Sequence, residues 1–373
     1  MRALHTIQGL SAKSGGTSTS TYDLLTAMHH IGCNVDLMTL QSPDLLGNNE
    51  PWINALPNDS ISSYGYSHNM NKFLSQTDYD LYHTNGLWLY GNHITCKIAR
   101  DKDKPYVITP HGMLYPLALK RSYWKKWPLL QFFFNKDILH ASCIHVTSKP
   151  ELEYVRQFGY KGPIAIIANP VTIPEYIKTI VRDNHRTRFG FLGRLHPVKK
   201  IENIFYAASL LKRDDFEILI IGSGDPGYEQ FLKQEVVRLK LPNIHFCGFL
   251  TGKEKYETLA KLSALFVPSD FENFGMIVPE ALSVGTPVMA SLGTPWEELN
   301  THKCGWWCDR SPQNIAHVMI EILNMPQTDL DAMGERGKQL VFQHYTAQEI
   351  ATKMKLLYDW IIMKNSKPEF VYG

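Results

Sequence analysis

Short apolar, β-rich runs alternate with helical stretches along the whole chain, and this alternation constrains the fold more than any other feature. In the first half the runs are ALHTI (3–7), NVDLMT (34–39), DLYHT (80–84), PYVIT (105–109), CIHVT (143–147) and IAIIA (164–168). Between them lie helical patterns such as 18–31, where Leu24, Leu25, Met28 and Ile31 share a face and Gly32 ends the run. A βαβα alternation of this kind builds a parallel sheet with crossover helices. The pattern breaks at NPVTIPEYIKTIVRDNHRTR (169–188), which holds two prolines and a polar cluster. It restarts with FGFLG (189–193) and continues through FEILIIG (216–222), IHFCG (244–248), ALFVP (264–268), PVMAS (287–291) and GWWCD (305–309).

A chain of 373 residues suggests about two domains. The expected architecture is α/β, with two doubly wound Rossmann-like domains at 1–170 and 186–345, a linker at 171–185, and a ligand cleft between the domains.

Composition removes several functional classes. The hydrophobic share of 44% and charged share of 20% are those of a soluble globular protein. A net charge of +2 is too small to imply nucleic acid as a partner, so any electropositive site must be local. No basic, then apolar, then small-residue leader pattern opens the sequence, and no stretch approaches 18 consecutive apolar residues. Six scattered cysteines do not form a disulfide framework, which makes a reducing cytoplasm the expected location. CGWWC (304–308) lacks the second pair a zinc site needs and reads as cysteines beside a strand.

Several stretches carry chemistry. FLGRLHPVKK (191–200) places Arg194 and Lys199 around a turn between a strand's carboxyl end and a helix start, where a phosphate or diphosphate finds charged donors and a helix dipole. A solvated basic turn is the plainer alternative. SAKSGGTSTSTYDLL, after the first strand, offers Gly15 and Gly16 for close backbone approach and a Ser/Thr cluster for capping. GSGDPG (222–227) has the letters of a dinucleotide loop, but the next strand, IHFCG, ends without the acidic residue that motif wants. Pro226 and Gly227 serve instead as helix-start residues. The DYD at 78–80 has metal-site spacing but precedes its strand, away from the carboxyl ends, so no metal site is assigned. His111 in TPHGML follows its strand and is placed to reach the cleft. LKRSYWKKWPLLQFFF (119–134) interleaves cations with aromatics. It reads either as a surface that lies on an anionic membrane or as a helix whose aromatic face packs on the sheet. SDFENFGMIVPEALSVGTP (269–287) sets Glu272 and Glu280 across a loop-to-helix junction. That spacing separates them and does not stack them as an acid/base pair or metal site; they read as two clamps on one ligand, with helix capping the plainer alternative for Glu272.

Taken in order, the Gly15-Gly16 loop, His111, GRLHPVKK, GSGDPG and PSDFENFGMIVPEALSVGTPV resemble the retaining nucleotide-sugar glycosyltransferases of family 4. GMLYPLALK and GTPWEEL resemble more weakly the members that build capsular or lipopolysaccharide sugars. The resemblance implies the GT-B fold, two facing Rossmann-like domains, with a helix at about 346–364 crossing back to the first domain. It implies that Gly15, Gly16, Arg194 and Lys199 hold the donor diphosphate and that Glu280 binds the ribose. Glu272, Asn273, Phe274, Gly275 and Met276 would bind the donor sugar, Phe249 would lie near the base, and His111 with Glu272 would stand at the reacting centre. Lys200 departs from the glycine usual in the family. The implied partners are a UDP- or GDP-linked sugar and a saccharide or lipid-linked saccharide. No cofactor is implied, and the expected place is the cytoplasm, peripheral at the inner face of the membrane. The alternatives are a non-catalytic sugar-nucleotide-binding subunit and an NAD-dependent oxidoreductase using GSGDPG.

Overall fold

The computed structural model describes residues 1–11, 16–120, 122–182 and 186–373. Each apolar run singled out in the sequence forms a strand. The strands in chain order are β1 (Arg2–Gly9), β2 (Asn34–Leu40), β3 (Ile53–Leu56), β4 (Leu81–Asn85), β5 (Tyr106–Thr109), β6 (Cys143–Val146), β7 (Ile164–Ile166), β8 (Arg188–Leu192), β9 (Glu217–Ile221), β10 (Ile244–Gly248), β11 (Ala264–Val267), β12 (Val288–Ser291), β13 (Gly305–Cys308) and β14 (Val371–Tyr372). The main helices are α1 (Gly16–His30), α2 (His68–Gln76), α3 (Tyr90–Asp101), α4 (Tyr123–Leu129), α5 (Lys149–Phe158), α6 (Glu202–Leu211), α7 (Pro226–Leu239), α8 (Gly252–Ala260), α9 (Ile277–Ser283), α10 (Pro312–Asn324), α11 (Gln327–His344) and α12 (Ala347–Met363).

The chain divides into two units, Met1–Pro170 with Ala347–Gly373, and Val171–Thr346. In the first, eight strands run in the order β3-β2-β1-β4-β5-β6-β7-β14. All their pairings are parallel except β14 with β7. The central strands are buried on both faces, which is why they read as continuous apolar runs. One face packs Leu4, Tyr82, Ile108 and Ile144 against α2 and α3. The other packs Ala3, Val35, Leu81 and Val107 against α1 and α12. Helix α12 presents Ile350, Met354, Leu357 and Tyr358 to that second core.

In the second unit six parallel strands run β10-β9-β8-β11-β12-β13. Counted from its own first strand this is the order 3-2-1-4-5-6, which reverses between β8 and β11. In such sheets the crevice outside the carboxyl ends at the reversal is where ligands bind, because loops diverge there and leave backbone donors exposed. The segment after Pro170 belongs to this unit. Its 3-10 turn, Glu175–Thr179, buries Ile177 and sets Tyr176 against Tyr256, with ring centroids 6.0 Å apart.

Candidate functional site

Strand β8 delivers its loop to the reversal point. After Leu192 the chain passes Gly193 at φ +151°, Arg194 and Leu195, then forms a single 3-10 turn, Pro197–Lys199, with His196 capping it through Nδ1. The loop is fixed to the one after β9: Gly193 N donates to Ile221 O at 3.0 Å, Leu195 N to Ser223 O at 3.1 Å, and Asp225 N to Leu195 O at 2.9 Å. A Cβ at Gly222 would stand 1.9 Å from Gly193 O, and one at Gly224 would stand 2.1 Å from Leu195 O. The glycines of GSGDPG are therefore required by two backbones in contact. Asp225 accepts from Tyr228 N at 2.8 Å and Pro226 occupies the first turn, so the rest of the motif starts α7.

Arg194 is exposed and makes no ion pair or side-chain hydrogen bond among the described residues. With Leu192, Gly193, Ser223 and Phe249 it lines a cavity of about 300 Å³, over which Phe249 is 72% exposed. A larger cavity of about 440 Å³, lined by Arg182, Gly285, Asp331 and Lys338, opens where Gly285 precedes β12. That is the amino end of the strand, so the smaller cavity is the one placed as α/β sheets place ligands.

Lys199 turns inward, and its ammonium donates to Oε1 of Glu272, which also accepts from Ser269 Oγ at 2.9 Å. Lys200 sits at φ +51° in the left-handed region that glycine prefers, which explains the family's glycine at this place. Its ammonium lies 3.5 Å from Asp270 Oδ2, and Arg310 lies 2.8 Å from Oδ1 of the same carboxylate. Asp270 N donates to Val198 O at 2.8 Å and Glu272 N to Gly293 O at 3.0 Å, locking the loop after β11 between its neighbours.

Phe274 is buried against Trp296 and Tyr345, and Trp296 Nε1 donates to its carbonyl at 2.5 Å. This anchor presents Gly275, at φ +79°, and Met276 just ahead of α9. Glu280 falls in the first turn of α9, where Lys255 from α8 reaches Oε1 at 2.9 Å. The structure thus gathers Arg194, Lys199, Glu272, Asn273, Phe274, Gly275, Met276, Glu280 and Phe249 in the loops and first helical turn that follow β8, β10 and β11. Ser269 and Asp270, from the start of the SDFENF stretch, and Lys255 and Arg310, which belong to no motif, support them.

On the first unit, Gly16 opens α1, and Gly15 lies outside the described residues. Asp78 and Asp80 stand at the amino end of β4. Asp80 accepts from Arg2 N at 2.7 Å and Asp78 faces Lys104 at 3.6 Å. His111 follows β5 at φ +50°, with Gly112 at φ +76°. The buried Glu151 holds this turn, accepting from Gly112 N at 2.5 Å and from Thr147 N at 2.9 Å. In sequence the pair Ser148 and Glu151 has capping-box spacing, which conceals this second use. Burial pushes the Glu151 carboxyl up, and pushes the imidazole of His111 down to about 3.

Comparison with known proteins agrees with both halves. Residues 14–173 match the family described as Glycosyltransferase Family 4, and residues 172–340 match Glycosyl transferases group 1. A GDP-mannose-dependent alpha-mannosyltransferase of Mycolicibacterium smegmatis is 30% identical over 159 residues, 41% of this chain and 40% of that one. The match spans less than half the length of that relative. Among solved structures, Anabaena HepE in complex with UDP and glucose superposes with a TM-score of 0.74 at 18% identity, covering 96% of this chain and 99% of that one. The lipopolysaccharide outer core galactosyltransferase WaaB, in its apo form, superposes at 0.69 and 14% identity, covering 98% and 100%. With consecutive family matches from 14 to 340 and two sheets of GT-B type, the chain belongs to the family 4, group 1 glycosyltransferases.

Proposed function

We propose that the chain is a retaining glycosyltransferase that moves a sugar from a UDP- or GDP-linked donor to a saccharide or lipid-linked saccharide in the making of a surface polysaccharide or glycolipid. The observation that carries this reading is the grouping of Arg194, Lys199, Glu272 and Glu280 outside the carboxyl ends of β8 and β11, where the strand order reverses. Residues 186–345 act as the donor domain and 1–170 as the acceptor domain, with 171–185 between them.

Arg194 and Lys199, with Gly15 and Gly16, grip the diphosphate. Glu280 takes the ribose hydroxyls, and Glu272 with the amides around Gly275 takes the sugar hydroxyls. Phe249 lies by the base. In the transfer, the bond between the anomeric carbon and the phosphate oxygen breaks as the acceptor oxygen bonds the same face of that carbon. The acceptor proton passes to the leaving phosphate. Charge grows on the diphosphate as this happens, and Lys199, held by Glu272, and the exposed Arg194 stabilise it. His111 contacts the reacting sugar.

No described helix is long and apolar enough to cross a membrane. Trp124 and Phe132 are 86% and 75% exposed beside Lys120 and Lys125, which supports a peripheral contact with an anionic inner membrane face. The test is a thermal-shift screen of UDP, GDP, ADP and their sugars, followed by NMR of the product's anomeric configuration. A stabilising nucleotide sugar and a retained anomer are expected. Tight nucleotide binding without transfer from any donor points to a non-catalytic subunit, and stabilisation by NAD alone points to an oxidoreductase.

A further inference from the structure

The core of the first unit contains a chain of polar side chains that the transfer reaction does not explain. His145 Nε2 lies 2.8 Å from Ile167 O, and His145 Nδ1 lies 2.8 Å from Thr109 Oγ1. Thr109 Oγ1 lies 2.6 Å from His83 Nε2, and His83 Nδ1 lies 2.5 Å from the hydroxyl of Tyr358. That hydroxyl lies 2.5 Å from His5 Nε2. His5 Nδ1 lies 3.3 Å from Asn85 Nδ2, and Asn85 Oδ1 lies 3.3 Å from His111 Nε2. The linking groups, from Asn85 to His145, are all buried.

A buried chain with one fixed end has only one consistent set of protons. A carbonyl only accepts, so His145 must carry its proton on Nε2, and its Nδ1 must accept from Thr109. The Thr109 hydroxyl has then spent its proton and accepts from Nε2 of His83, leaving His83 Nδ1 to accept from Tyr358. Tyr358, having donated, accepts from Nε2 of His5. His5 Nδ1 then accepts from the Asn85 amide, whose nitrogen is also 3.4 Å from Thr6 O. The Asn85 carbonyl is thereby turned to His111 and accepts from its Nε2. All seven bonds run the same way, a direction in which each polarises the next. Burial keeps the rings neutral, pushing His5 to about 3, His145 to about 4 and His83 well below its ordinary value.

We propose that this one-way chain holds His111 as its Nε2–H tautomer, so that Nδ1 is a fixed hydrogen-bond acceptor for a sugar hydroxyl of the reacting pair. Nδ1 has no hydrogen-bond partner among the described residues. The use of Nδ1 on a sugar rests on the glycosyltransferase reading above, whereas the tautomer does not. Tyr358, Thr109 and Asn85 are positioning residues: they reach substrate only through His111. Tyr358 comes from α12, the helix that returns to the first unit after the second has been completed in the sequence.

The test is two-bond ¹H–¹⁵N correlation of the full chain labelled on histidine nitrogen, with the His111 signals identified by their loss in His111→Gln. Between pH 6 and pH 8 a single Nε2–H tautomer at His111 is expected. A protonated Nδ1, or rapid averaging, overturns the proposal. Tyr358→Phe removes the relay oxygen, and averaged His111 tautomers are expected. With them comes a fall in kcat of about tenfold, with donor KM within about twofold, the size of one misplaced hydrogen bond. Thr109→Val should do the same and Thr109→Ser should restore both signals, a pair that decides the matter if Tyr358→Phe fails to fold. A His111 that stays wholly Nε2–H in both variants removes the relay as its cause. If the tautomers respond as expected but no donor sugar is transferred, the chain stands and the proposed reaction falls.

Discussion

Lys199 and Glu272 are bound to each other across the loops after β8 and β11, the ammonium donating to Oε1 that Ser269 also contacts. Both side chains are mostly buried, so neither charge is fully hydrated and each holds the other in place. The pair holds one cation in the loop proposed to meet the diphosphate. Lys199→Ala is expected to reduce kcat/KM at least about a hundredfold, an effect of the size of losing one preorganised donor to developing charge. Its melting temperature should fall too, because Glu272 is left mostly buried without its cation, so activity is compared at a temperature where the variant is folded. Transfer at the native rate by Lys199→Ala and Arg194→Ala would remove both residues from the site.

Glu272→Gln separates recognition of sugar from recognition of nucleotide. The amide keeps the shape and the Ser269 contact but no longer neutralises Lys199. Affinity for a bare nucleoside diphosphate, by calorimetry, should stay equal or rise by up to about threefold, while transfer of the sugar is lost. Glu280→Gln should do the reverse, weakening the nucleoside diphosphate about tenfold as a charge-assisted bond to a hydroxyl is lost. Equal losses in both variants would mean that the two carboxylates do not grip different parts of the donor.

The strands were legible because a parallel sheet buried on both faces writes itself as unbroken apolar runs, as in ALFV of β11 and CIHV of β6. The short edge strands β3 and β14 were not, since an edge strand buries less and needs no such run. Arg194, Lys199, Glu272 and Glu280 stood out as charges in the loops and first helical turn that follow strands. Their partners did not: Lys199 meets Glu272 across 73 positions, and Tyr358 meets His5 across 353. Glu151 was hidden because its spacing from Ser148 is that of an ordinary cap. Contacts made by folding leave no local period, and a single chain cannot display them.

The buried histidines predict an acid-sensitive first unit. His5, His83 and His145 are buried and held neutral in the folded chain, burial pushing His5 down to about 3, His145 to about 4 and His83 well below its ordinary value. The unfolded chain takes up those protons near pH 6.5, so it binds more protons than the folded chain as the pH falls, and stability falls with it. Each ring gives up about 2 kcal/mol between pH 7 and pH 5. Glu151, pushed up by burial, acts with the opposite sign and recovers part of this at lower pH. Urea midpoints of the full chain at pH 7, 6 and 5 should fall steeply, with hydrogen exchange locating the loss in β1, β4 and β6. His145→Gln should flatten the slope by about one proton, and a midpoint independent of pH would contradict the assignment.

Gly222 and Gly224 test whether GSGDPG is packing or ligand binding. Because a Cβ at Gly224 would meet Leu195 O at 2.1 Å, Gly224→Ala must push the 193–195 loop and displace Arg194. A loss of about 2–3 kcal/mol in stability is expected, together with weaker nucleoside diphosphate binding and no effect on NAD, which should not bind the native chain. An alanine variant of native stability would show that the two loops are not in contact.

The segment from Tyr123 to Phe134 divides its aromatics between two surroundings. Phe134 is buried with its ring 5.4 Å from Trp88, and Phe133 packs 4.6 Å from His93, while Trp124, Trp127, Tyr123 and Phe132 remain exposed. An apolar face left in water beside Lys120 and Lys125 fits an interface of anionic headgroups over acyl chains, where the rings are removed from water and the ammonium groups meet phosphate. The full chain should therefore co-sediment with phosphatidylserine-containing vesicles, with a blue shift of tryptophan emission, and bind phosphatidylcholine vesicles much less. Trp124→Glu and Phe132→Glu should each lower vesicle affinity about tenfold or more, the transfer free energy of one large apolar side chain, without changing transfer to a water-soluble acceptor. Binding that ignores the lipid charge would remove the lysines from the contact, and absence of binding to either vesicle would leave these aromatics as ordinary surface.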